Sequence, residues 1–174
     1  VTTFGTAFKN NTEIETFNEA QYFTGLTTLA NTFRDSTLRS INLANLQSVK
    51  SLSYAFYNCE QLETLVLEGI NSGIITTMMY AFQNCSNIKD IYYGGTVETW
   101  FNISGLNYLM GDGSSSKNLY FNNQLVTSVA IPNTVTVIPS SAFRGCSSLT
   151  LVVIGESVTS IGDSAFYGCS SLTS

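Results

Sequence analysis

The phrase Ala-Phe-x-x-Cys occurs four times, at Ala55–Cys59, Ala81–Cys85, Ala142–Cys146 and Ala165–Cys169. Repetition of this kind constrains a fold more than any composition does. A unit of about 24 residues cannot bury its own apolar face, so successive copies have to stack. An aliphatic residue follows each Cys by three positions: Leu62, Ile88, Leu149 and Leu172. Where the chain continues, further apolar residues follow at +3 and +5: Leu65 and Leu67, Ile91 and Tyr93, Val152 and Ile154. Upstream of each Phe lies a second apolar pair: Val49 and Leu52, Ile75 and Met78, Val135 and Ile138, Val158 and Ile161.

Weaker copies precede these. Leu26, Leu29 and Phe33 lead into Leu38, Ile41 and Leu43, and Ala7-Phe8-Lys9-Asn10-Asn11 carries Asn in the Cys column. The Phe-to-Phe intervals are 25, 23, 26, 61 and 23, and the long one holds a hidden copy at Val126, Val129 and Ile131 plus an insertion. Apolar residues two apart lie on one face of a short strand. Ala-Phe-x-x-Cys, too short for an autonomous helix, is expected as a helical turn or corner whose Phe points inward. Phe33, Phe56, Phe82, Phe143 and Phe166 should then line a single interior row. A period of 23–26 residues falls in the leucine-rich-repeat range.

The stretch from Ile131 to Leu149, with Ala142-Phe143-Arg144-Gly145-Cys146-Ser147-Ser148-Leu149, recurs as Val158 to Leu172 with Ala165-Phe166-Tyr167-Gly168-Cys169-Ser170-Ser171-Leu172. It resembles the BspA-type leucine-rich repeat, a family of surface proteins of gut and oral bacteria and some mucosal protozoa. The resemblance is fullest over 126–174, extends over 45–93 and is degenerate over 1–44; residues 94–125 depart from it. It implies a curved solenoid, export to the cell surface and, in some members, adhesion to host proteins. The expected architecture is an α/β repeat, a right-handed leucine-rich-repeat solenoid of six to seven coils. Each coil of 23–26 residues would carry a short parallel β-strand and short helical turns. Residues 1–44 would be degenerate N-terminal repeats, 45–93 regular repeats, 94–125 an irregular insertion with a hairpin turning at Asn122-Asn123, and 126–174 regular repeats again. The chain starts without Met and stops inside a repeated phrase, which reads as a piece cut from a longer protein. It has no run of 18 apolar residues, so no membrane insertion is expected of it.

Composition narrows the function. Ser, Thr and Asn make up 59 residues, only 11% of positions are charged, and the net charge is −5. Such a surface suits turns and neutral hydrogen bonding and is a poor match for nucleic acid. With no histidine, the usual activation of a Ser or Cys nucleophile is missing. Paired carboxylates are the remaining route to hydrolysis. Glu60 with Glu63, Glu13 with Glu15, and Asp90 with Glu98 are more simply solvated surface. Asp112 among Gly and Ser is one oxygen ligand at best, too few for calcium. No catalytic residue, metal or cofactor is assigned.

The cysteines Cys59, Cys85, Cys146 and Cys169 fill one column of the repeat. An even count in an exported protein suggests bridges, but stacked side chains project in parallel and a bridge needs converging ones. Asn11 and Ser36 occupy the same column, so the position reads as a small, buried, weakly polar one. Two candidate contact surfaces remain. Outward-facing strand residues would form the columns Asn42, Val66, Tyr92, Ala130, Val153 and Ser40, Thr64, Asp90, Ser128, Leu151. Val66, Tyr92, Leu151 and Val153 are then apolar residues in solvent, either a contact patch or ordinary scatter. Trp100 and Phe101 either anchor a partner or plug the coil where the pattern breaks. The function expected is a non-enzymatic recognition or adhesion module, cell-surface or secreted, binding a host extracellular protein or glycan. The alternatives are a structural spacer displaying another domain and, less simply, a carboxylate-dependent carbohydrate-active enzyme.

Overall fold

A computed structural model describes residues 1–68, 77–111 and 116–173. Ile75 and Asp112 lie outside the described residues. The first strands are β1 (Ser40–Asn42), β2 (Thr64–Leu67) and β3 (Asp90–Tyr93), one per coil, paired in parallel. Their register sets Leu65 on Ile91 and Leu67 on Tyr93, all buried, with Val66 on Tyr92 facing out. A second parallel line runs beside this sheet as single bridges, Thr3–Thr28, Thr28–Ser51 and Ser51–Thr77. Each early coil therefore contributes to two parallel lines rather than to the one expected.

The Ala-Phe-x-x-Cys segment is tighter than a helical turn. Its N–H groups reach back three residues, Ala55 to Leu52, Cys59 to Phe56 and Leu62 to Cys59, at 2.8, 3.0 and 3.1 Å. Left-handed residues flank it on both sides. Asn31, Tyr54, Tyr80, Ser141 and Ser164 precede the Phe, and Asn10, Asp35, Asn58, Asn84, Gly145 and Gly168 follow it, all at positive φ. Asn, Asp and Gly enter that region at the least steric cost, which explains why only they fill the later position. The reversals aim alternate N–H groups at the next coil: Phe33, Asp35, Phe56 and Asn58 donate to Ala55, Tyr57, Ala81 and Gln83 carbonyls at 2.8–2.9 Å. Coil is thus bonded to coil through the turns as well as the strands, which gives these backbone groups partners within the stack.

Inside, Phe8, Phe33, Phe56 and Phe82 stack face to face, with centroid spacings of 5.2, 5.5 and 5.1 Å. Phe143 and Phe166 stack separately at 5.7 Å. The single row expected is therefore two rows, and the insertion separates them. There α1 (Val97–Phe101) and α2 (Leu106–Met110) replace the repeated phrase. Thr96 caps α1 through a reciprocal box with Thr99. Left-handed Gly105 starts α2, where a Cβ would come within 2.9 Å of the Met79 backbone nitrogen. Strand β4 (Asn118–Phe121) then joins the parallel sheet beside β3. Asn122 and Asn123, both left-handed, turn the chain into β5 (Gln124–Leu125), antiparallel to β4. Four further strands, β6 (Ser128–Ala130), β7 (Val137–Ile138), β8 (Leu151–Val153) and β9 (Ser160–Ile161), pair as two separate parallel ladders, β6 with β8 and β7 with β9.

Candidate functional site

Strand alternation turns Ser40, Thr64 and Asp90 outward in one column and Asn42, Val66 and Tyr92 in the next. β4 extends both. Asn118 sits beside Asp90 and Tyr120 beside Tyr92. The columns drawn from sequence ran on to Ser128 and Ala130 instead. They are corrected here, because the hairpin at Asn122-Asn123 ends this sheet and β6 begins another. Val66, Asp90 and Tyr92 are thereby brought together with two residues that sequence reasoning missed. Asn118 and Tyr120 lay in a segment without the repeat phrase; the Asn-Leu-Tyr-Phe alternation just before Asn-Asn was the available signal.

The geometry of this face is well defined. Tyr92 and Tyr120 are half-buried and stack with centroids 4.3 Å apart and planes 10° from parallel. Asn118 Nδ2 donates to Asp90 Oδ1 at 2.9 Å, which holds the carboxylate beside the rings. Desolvation, then the neighbouring Tyr92 and Asp90, push the Tyr120 phenol above its ordinary value. The Tyr120 phenol therefore stays protonated near neutrality and offers its hydroxyl beside the Asp90 carboxylate. Leu151 and Val153, 40% and 54% exposed, lie on the separate β6–β8 ladder beside Ser128 and Ala130. They make a second apolar patch, not an extension of the tyrosine face.

Trp100 and Phe101 part company. Trp100 is fully buried, its indole N–H donates to the Ala142 carbonyl at 2.9 Å, and Tyr93 and Phe121 pack against its ring. As a contact anchor it is corrected to a plug: it joins the insertion to the second block where the repeat phrase is missing. Phe101 sets its edge against Phe143 at 5.7 Å and also lines a groove of about 450 Å³. Glu98, Asn102, Thr134, Val135, Thr136, Val137 and Pro139 complete that groove. Thr134 Oγ1 donates to Glu98 Oε1 and ties its two walls together.

The four cysteines are buried and not joined in disulfides. The Cys59, Cys85 and Cys169 thiols donate to the Phe33, Phe56 and Phe143 carbonyls of the preceding coils, at 3.0, 3.0 and 3.1 Å. Ser36 Oγ lies 3.5 Å from Cys59 Sγ in the same column. Burial pushes the Cys59, Cys146 and Cys169 thiols up, the opposite of what a nucleophile needs. Of the described carboxylates, Glu15 and Glu63 share Arg39, at 4.0 and 3.8 Å. Among the described residues no group of His, Cys, Asp and Glu is placed to hold a metal ion, and no helix is long and apolar enough to cross a membrane.

No curated protein matches the chain. The crystal structure of a leucine-rich repeat protein from Bacteroides ovatus ATCC 8483 is similar at 20% identity and a TM-score of 0.34, the match covering 86% of this chain and 40% of that one. The model of the BspA type leucine rich repeat region matches six copies over residues 5–102 and 115–174. The unmatched interval contains α2, which replaces the repeat phrase. From its stacked coils and from a match over most of its length, the chain belongs to the BspA-type leucine-rich repeat family.

Proposed function

We propose that this chain is a non-enzymatic recognition and adhesion module, cell-surface or secreted, that binds a host extracellular protein or glycan across the outward face of its β1–β4 sheet. The observation that carries the reading is the stacked Tyr92–Tyr120 pair beside Asp90 and Val66 on a bonded, rigid face. Half-exposed tyrosines combine an apolar body with a polar tip and lose little entropy on contact, so they serve as anchors in recognition surfaces. Leucine-rich repeats of this kind are typically interaction modules, and the family is typically surface-associated. The weakly acidic surface argues against a nucleic-acid partner.

The test is a binding panel of extracellular-matrix proteins and mucin glycans against the chain and its Tyr92→Ala/Tyr120→Ala variant. Loss of the pair should weaken binding by about 2 kcal/mol or more, the hot-spot range. Undiminished binding by the double variant would remove the tyrosine face from the mechanism. No binding to any member would favour a spacer. Release of reducing sugar, abolished by Glu→Gln changes, would make the chain an enzyme.

A further inference from the structure

We propose that the groove between α1 and residues 134–139 is a second recognition site, shaped for a lysine or arginine side chain of a partner polypeptide. Four of its lining residues, Phe101, Val135, Val137 and Pro139, are apolar. They offer a wall on which the methylene stem of a long basic side chain can lie. The charged end has one address. Among the described residues that line the groove, Glu98 is the only charged one and none is basic. Its carboxylate is held by the Thr134 hydroxyl, a neutral donor that leaves its charge uncompensated. Glu15 and Glu63 face Arg39, and Asp35 pairs with Arg34, but no cation faces Glu98 among the described residues. A basic group entering the groove would supply the missing partner in a charge-assisted hydrogen bond. An acidic or phosphorylated ligand would meet Glu98 with nothing to offset the repulsion.

Size and field agree with this occupant. About 450 Å³ lies within the roughly 300–1,000 Å³ of small-ligand clefts, room for one side chain with its flanking backbone outside. The net charge of −5 adds a long-range bias toward cations. The groove is separate from the Tyr92–Tyr120 face, so this site stands or falls independently of the function proposed above.

The test titrates acetyl-Gly-Lys-Gly-amide and acetyl-Gly-Arg-Gly-amide into the ¹⁵N-labelled chain at low salt and follows backbone amides. Saturable shifts should cluster at residues 98–102 and 134–138. Replacing the basic residue by norleucine should weaken binding about tenfold or more, as loss of a charged hydrogen bond does. Glu98→Gln, which keeps an oxygen for Thr134, should do the same and remove the salt dependence. Val137→Lys, at a half-exposed position on the groove wall, should block the peptides by occupying the site with its own amine. Tyr92→Ala/Tyr120→Ala should leave peptide binding unchanged. Equal binding of the norleucine or a glutamate peptide, undiminished binding by Glu98→Gln, shifts centred elsewhere, or none up to about 10 mM peptide would each overturn the proposal.

Discussion

Replacing Phe143 by Ala tests the packing at the point where the insertion meets the second block. Phe143 is fully buried, stacks on Phe166 at 5.7 Å and receives the Phe101 ring at 5.7 Å. Losing a fully buried Phe side chain costs about 1.5–3 kcal/mol in transfer alone. Each ring contact adds about 0.5–1.5 kcal/mol. Together these give about 2.5–6 kcal/mol, centred on the roughly 3–5 kcal/mol measured for buried Phe truncations. At this chain length that corresponds to a fall in Tm of roughly 10 °C. Trp100 makes the assay local, because its indole bonds to Ala142, the residue before Phe143. Urea unfolding should therefore be followed by tryptophan fluorescence and by far-ultraviolet circular dichroism together. Coincident transitions would mean the two blocks unfold as one; an earlier fluorescence transition would mean the junction opens first, as repeat arrays allow. Phe166→Ala, at a half-buried ring, should cost less, about 1–2 kcal/mol. A cost below about 0.5 kcal/mol for Phe143→Ala would place that ring outside the core and refute the packing argument.

Thiol labelling of the unfolded, unreduced protein should count four free sulfhydryls, and native protein should react far more slowly; a count of zero would mean bridged cysteines. Stability should depend on alkaline pH through the same groups. Buried Cys59, Cys146 and Cys169 are raised, so the folded chain keeps protons that the unfolded chain releases above about 8.5. Their contribution is complete below that pH and is lost as pH rises beyond it, so the urea midpoint should be level to about pH 8 and lower at pH 10; a midpoint rising over that interval would contradict their burial. Asn58→Ala should cost about 1–2 kcal/mol, since Ala resists the left-handed backbone and the amide links to Asp35 and Asn84 are lost. Asn58→Gly should cost less, because Gly145 and Gly168 show that the backbone alone can be satisfied there; equal melting of the Ala variant and the parent would remove the ladder from the account.

What the chain dictates locally was readable from its letters. The period, the inward positions such as Leu65, Ile91 and Leu149, and the stacked strands follow from spacing, because each coil meets only copies of itself. The small Cys column followed too, since Ser36 and Asn11 stand in it. Where the copies differ, spacing says nothing about which distant residue arrives. Tyr120 reaches Tyr92 only because an insertion of irregular length delivers β4 to the edge of β3. Trp100 became a plug rather than an anchor because Ala142, 42 residues on, presents its carbonyl. The groove at Glu98 exists only because residues 134–139 pack against α1. These are contacts between unlike segments, set by how two stacks of coils join, and no periodicity encodes that meeting.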